Sequence, residues 1–144
     1  YGRKLTWFDS LREWAASFVA KDQSVVLCGD FNIVPTSLDT WDESSHAGGI
    51  FHTDEERARM SAIIDLGLTD LYREREPDTQ AFSWWDYRGG SFHRKHGLRI
   101  DFLLGTPAVV KRLRKVEIDR DFRKKKDGLT ASDHAPVIAH LDVG

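Results

Sequence analysis

Asp30 and Asn32 stand two residues apart at the end of VVLCGDFN, straight after an apolar run. Side chains alternate along an extended chain, so a carboxylate and a carboxamide at this spacing can face the same way. Gly, Asp and Asn are also the usual residues of a turn, so the pair alone reads equally as a turn or as a polar site at the carboxyl end of a strand. Two further polar groups interrupt apolar segments: Asp101 inside RIDFLL, and Asp133-His134 inside SDHAP. A carboxylate among Ile, Phe and Leu is costly unless paired or hydrogen-bonded. Asp101 therefore needs a partner. His134 is the candidate, since a carboxylate orients an imidazole and stabilises its charged form.

Together these groups make a coherent hydrolytic set. Phosphodiester hydrolysis needs a positioned water, a base, a cation on the phosphoryl oxygens and help for the leaving group. Asp30 could serve as the base, Asn32 as a donor to the phosphate, Asp133 as a metal contact, and His134 as a charged donor held by Asp101. Hard oxygen ligands suit Mg²⁺ or Mn²⁺. No His pair or Cys pair has the spacing of a zinc site.

These residues have to be positioned by a scaffold, and the sequence marks several of its elements. Trp7, Phe8, Leu11, Trp14, Ala15 and Phe18 recur at helical spacing, which predicts a helix over 5–20 with those aromatics in the core. SVVLCG reads as a buried strand, with Cys28 packed in it as a small hydrophobe. Residues 31–52 read as a long loop holding Pro35, Gly48 and Gly49, and such loops are often functional. TDEERARMSAIIDLGL is a helix with a Thr53/Glu56 capping box, and Gly67 can close it. AFSWWDY and LRIDFLLG are strand-like, TPAVVKRLRK offers Thr106 as N-cap with Pro107 behind it, and APVIAHLDV is a last strand. A layered α/β arrangement follows.

The chain of 144 residues, 40% hydrophobic and 31% charged, fits one globular domain. No apolar run approaches the roughly 20 residues needed to cross a bilayer. One cysteine and no signal-like leader suit a reducing, cytoplasmic setting without a membrane partner. The net charge is -2, but residues 111–126 hold nine Lys or Arg against three acids. Residues 88–99 hold four Lys or Arg, two His and no acid. Such stretches can meet a phosphate backbone, although DFRKKKDG by itself reads as a solvated face. The chain opens in a helix with no preceding strand and no Met, as a piece of something larger would.

GDFN, PTSLD, FSWWDYR, GLRIDFLL and SDHAPV, in this order, resemble the second half of exodeoxyribonuclease III and its abasic-endonuclease relatives, within the endonuclease/exonuclease/phosphatase superfamily. GDFN and SDH mark the superfamily, and FSWWDYR followed by GLRID narrows the resemblance to this branch. It implies residues 1–144 as the carboxyl-terminal part of such a domain. The implied fold is α/β, the C-terminal half of a four-layered sandwich, a mixed β-sheet with helices packed on one face. It implies a Mg²⁺- or Mn²⁺-dependent enzyme of DNA repair that cuts duplex DNA 5′ of abasic sites and trims 3′ ends. By the same resemblance Asp30, Asn32, Asp101 and His134 are catalytic and Asp133 is associated with the metal. Trp84 and Leu98 line a pocket that admits a sugar lacking its base, and Arg88 and Arg99, with Arg94 and Lys95, flank it for phosphate contacts. Trp85 reads as core.

The family's first half supplies an Asn and a Glu at the metal and a catalytic Tyr, and none of those motifs occurs here. Tyr1 is not assigned that role. The missing half is thus an expected partner, the isolated chain is expected to be weak or inactive, and its open sheet face favours self-association. Two other readings remain: a phosphodiesterase of the same superfamily acting on RNA, a phosphoinositide or a lipid, and a DNA-binding or assembly fragment without catalysis.

Overall fold

The computed structural model describes residues 1–19 and 23–143. The chain opens in α1 (Gly2–Val19), whose buried side chains Phe8 and Ala15 lie seven residues apart on one stripe. β1 (Val26–Asp30) follows, then a short 3₁₀ turn (Ser37–Asp39) and α2 (Glu43–His46) inside the segment expected to be a loop. α3 (Asp54–Ile64) starts on the expected capping box: Glu56 N–H donates to Thr53 Oγ1 at 3.1 Å and Thr53 N–H donates to Glu56 Oε2 at 3.2 Å. Next come β2 (Thr69–Asp70), α4 (Leu71–Arg75), β3 (Trp84–Trp85), β4 (Gly97–Leu98) and β5 (Asp101–Gly105). The chain then runs through α5 (Pro107–Arg112), β6 (Leu113–Ile118), a 3₁₀ turn (Arg120–Arg123) and β7 (Val137–Leu141).

The strands pair antiparallel in three ladders, β1-β5-β2, β3-β4 and β6-β7. The expected α/β class holds. On one side of the first ladder Phe8, Phe31, Ile33, Met60, Ile63, Leu68, Phe102 and Leu104 form a core that takes in α1 and α3. A second cluster, Leu71, Tyr72, Val109, Leu113 and Val116, seats β6 against α4 and α5.

Several sequence expectations need correction. Trp7 and Trp14 are 58% and 57% exposed. They sit on a second stripe beside Phe8 and Ala15, and the helix has only one face against the core. Cys28 is exposed, not packed. Only Leu27 among the residues of β1 escapes the exposed class, so the strand is covered on one side, whereas an apolar run reads as covered on both. The helix begun at Pro107 stops at Arg112. Leu113, Val116 and Ile118 then continue as a strand whose apolar side chains meet the second cluster. Thr106 does occupy the N-cap position, but its hydroxyl accepts from Val25 N–H at 3.0 Å and makes no cap bond.

Arg99 is the largest correction. The resemblance placed it on DNA phosphates, yet it is 1% exposed. Its Nε donates to Asp39 Oδ1 at 2.7 Å, and its Nη1 and Nη2 donate to the two oxygens of Asp70 at 3.0 and 2.6 Å. Arg73 Nη2 adds a bond of 2.6 Å to Asp39, which is itself fully buried. This network ties the 3₁₀ turn to β2, α4 and the segment between β4 and β5. Arg99→Ala removes one of the two guanidinium partners of Asp39 and the two-bond partner of Asp70. Removing one partner of a buried pair typically costs about 3–5 kcal/mol, and urea unfolding of Arg99→Ala should show a loss of that size. A loss below about 1 kcal/mol, the range of a surface pair, would contradict a structural role.

Candidate active site

Register brings the polar residues together. In the β1–β5 ladder Asp30 lies directly opposite Asp101, so two carboxylates 71 positions apart in the chain end on one rim. β3 supplies the third edge. Trp84 pairs with Leu98 on one side and with His134 on the other, and Trp85 N–H donates to the Asp133 carbonyl at 3.1 Å. Ala135 N–H donates to the Ser83 carbonyl at 2.8 Å, which completes the clamp on the SDHA turn. Gly97 is required beneath this junction: a Cβ there would come within 2.5 Å of Trp85 Nε1.

At the centre His134 Nδ1 lies 2.8 Å from Asp101 Oδ2. A carboxylate can only accept, which assigns the tautomer with Nδ1 protonated and leaves Nε2 free. Nε2 points into the cluster, 3.7 Å from Asp30 Oδ2 and 3.8 Å from Asp133 Oδ1. Asp101 Oδ2 also accepts from Ser83 Oγ at 2.7 Å, and that same oxygen of Ser83 accepts from the backbone N–H groups of Ile100 and Asp101. Burial pushes the Asp101 carboxyl above its ordinary value of 3.8, the bonds from His134 and Ser83 pull it down, and the charge of Asp30 adds to the rise.

Asp30 and Asn32 stand at the open edge. Asn32 adopts the left-handed conformation at φ 50°, and its N–H donates to Asp30 Oδ1 at 2.9 Å. Its backbone carbonyl accepts from the Lys4 ammonium, which also pairs with Glu56 at 2.6 Å. The two readings of GDFN are thus both realised: the pair makes a turn, and the turn presents an exposed carboxamide beside an exposed carboxylate.

The remaining expected residues fall in different places. Trp84 is half-buried beside the site, and its indole N–H donates to Asp133 Oδ2 at 2.9 Å, a role the sequence did not announce. Leu98 is adjacent but only 7% exposed, packed with Val34 and Ile100 behind Trp84. Arg88 lies on the surface, its side chain 89% exposed and paired with Asp86 at 2.8 Å. Trp85 is core, 2% exposed. Sequence reasoning passed over Ser83. A lone hydroxyl within the aromatic run AFSWW was its signal, because a buried hydroxyl must find a partner.

Asp30, Asp101 and His134 each present a ligating atom within 4.8 Å of the others. Two of those three are already engaged with each other through His134 Nδ1 and Asp101 Oδ2. Asp133, one of whose oxygens is held by the Trp84 indole, lies beside this group with its other oxygen toward His134 Nε2 and is the carboxylate that could take a hard cation such as Mg²⁺ or Mn²⁺.

The family model described as the endonuclease/exonuclease/phosphatase family matches residues 1–134. Exodeoxyribonuclease III of Haemophilus influenzae is 33% identical over 145 residues, covering 96% of this chain and 53% of that protein. The 3′ phosphatase NExo from Neisseria, solved with a product DNA hairpin, superposes with a TM-score of 0.90 at 38% identity, over 96% of this chain and 52% of that one. An AP endonuclease from Archaeoglobus fulgidus gives a TM-score of 0.91 at 28% identity, over 99% and 55%. The chain spans about half the length of the curated relatives it matches.

The raised pKa of Asp101 has a consequence for stability. The folded chain holds that proton more tightly than the unfolded chain does, so the contribution is complete below pH 3.8 and is lost as pH rises through the raised value. Asp101→Asn cannot ionise. Its melting temperature relative to the unaltered chain should therefore become more favourable between about pH 3 and about pH 7. A difference that does not vary with pH would contradict the burial of an ionising group.

Proposed function

The chain belongs to the endonuclease/exonuclease/phosphatase family, with relatives among the exodeoxyribonucleases III and AP endonucleases, and from that premise we propose that it carries the hydrolytic centre of a DNA-repair phosphodiesterase. The observation that supports this most is the line Ser83–Asp101–His134 ending at Nε2 beside Asp30. Asp30 accepts the proton of the attacking water. The Asn32 amide donates to a non-bridging phosphate oxygen, and charged His134 donates from Nε2 to the phosphoryl group while Asp101 holds it in place. The P–O bond to the leaving sugar oxygen breaks as the bond from water to phosphorus forms, and the departing oxygen takes a proton from solvent. Asp133 would hold Mg²⁺ or Mn²⁺, which would neutralise the phosphate charge.

Trp84 offers a flat face beside this centre, and a deoxyribose lacking its base can turn in against it at low unstacking cost. Duplex DNA with abasic sites or 3′ ends is accordingly the substrate proposed. The Neisseria neighbour is described as a 3′ phosphatase and a 3′-5′ exonuclease, which favours chemistry at 3′ ends as a second reading of the same centre. The remainder of the relatives' length is proposed as the chain's covalent partner, completing the metal site and covering the open face of β1.

The test is single-turnover hydrolysis in the intact enzyme, on a labelled duplex with one abasic site and on one with a recessed 3′ end. Activity should require a divalent cation, and Asp30→Ala or His134→Ala should each slow it by at least roughly 10²-fold. Near-normal turnover in either variant would remove that residue from the mechanism. Trp84→Ala should lose more on the abasic duplex than in binding undamaged duplex, and equal losses would refute the pocket.

A further inference from the structure

Two arginines are buried, and they are treated differently. Arg99 is held by two carboxylates, whereas Arg123, 8% exposed, forms no ion pair among the described residues. Arg123 Nη2 donates to the carbonyls of Trp85 at 3.1 Å and Asp86 at 3.5 Å, and its Nε is buried with no partner. The guanidinium lies over the rings of Tyr87 and Phe92, at 4.8 and 5.1 Å. Carbonyls and rings occupy part of its hydrogen-bonding capacity and leave its charge uncompensated, which is costly in a buried position.

Arg123 lines a groove of about 350 Å³ together with Gly90, Ser91, His93, Lys125 and Thr130. Two of the acids nearby are already engaged. Asp86 is tied to Arg88, which holds its carboxyl at about 2, and Asp121 is tied to Lys124 at 2.7 Å. Arg123 and Lys125 line the groove beside the Thr130 hydroxyl, and the one carboxylate in its lining, Asp86, is taken up by Arg88. The groove adjoins the turn that carries His134, because Tyr87 OH donates to the Ala131 carbonyl at 2.6 Å.

We propose that this groove, between segments 87–93 and 123–130, is a phosphate-binding site distinct from the His134 centre. Its ligand is a phosphate group, either a backbone phosphate of bound DNA or a free phosphate or mononucleotide. Only the DNA source rests on the nuclease reading. Arg123 supplies the buried charge, Lys125 a second cation, and Thr130 a neutral donor.

The test is NMR titration of the chain, following the Arg123 Nε–H signal and the Ser91 and Thr130 amides, with inorganic phosphate and then with a short 3′-recessed duplex. Phosphate should move these signals saturably. Lys125→Ala, an exposed position that leaves Arg123 stacked in place, should weaken binding about tenfold for one lost charged contact. Saturation by phosphate with no duplex response at Arg123 keeps the site and assigns it to a free phosphate. Duplex-induced shifts at Asn32 and His134, with no saturable response at Arg123 to either ligand, overturn the site and leave the nuclease reading standing. An absence of saturable shifts with both ligands, or equal affinity in Lys125→Ala, overturns it as well.

Discussion

One carboxylate oxygen, Oδ2 of Asp101, accepts from both Ser83 and His134, and the geometry of the whole rim depends on that shared acceptor. It keeps the Nδ1 side of the ring engaged with Asp101, so that Nε2 is the nitrogen left to face a phosphate. The arrangement demands three independent pieces of backbone. β5 carries Asp101, β3 brings Ser83 beneath it, and the turn before β7 delivers His134 by pairing with Trp84. A half-buried carboxylate is unfavourable on its own. Here that cost is offset only when all three pieces are in place, so folding and preorganisation of the site are the same event.

The support extends outward in a second shell of charge. Asp39, Asp70, Arg73 and Arg99 lock the segment leading into β5 through bonds among themselves. Lys4 and Glu56 do the corresponding work for the turn at Asn32, where α1 and the start of α3 meet. Buried ion pairs of this kind contribute little net stability over apolar packing, but breaking one partner is severe. Their value here is in fixing where Asp101 and Asn32 sit. Arg123, by contrast, is buried with no ion-pair partner among the described residues.

The chemistry was more legible in the sequence than the packing. Asp30, Asn32, Asp101 and His134 stood out because polar groups in apolar strands need a reason, and the structure brings them to one rim. The Thr53/Glu56 capping box was legible because capping is local. What depended on the other side of an element was not legible. Trp7 and Trp14 share helical spacing with core residues, and only the single face of α1 against the sheet excludes them. Cys28 and its strand looked buried because an apolar run does not say how many layers cover it. Arg99 looked like a surface cation among basic residues, since its partners Asp39 and Asp70 lie 60 and 29 positions away. Ser83 was overlooked for the same reason: its partner is 18 positions along, on another strand.

The central claim is that Asp101 acts through His134 and not independently. A double-mutant cycle on single-turnover cleavage of an abasic duplex by the intact enzyme tests it most directly, using Asp101→Asn, His134→Ala and the two combined. Residues that act as one unit are strongly non-additive, so the combined variant should be no slower than His134→Ala alone. Additive losses in the combined variant would contradict the account, and would mean that the two groups serve the reaction separately.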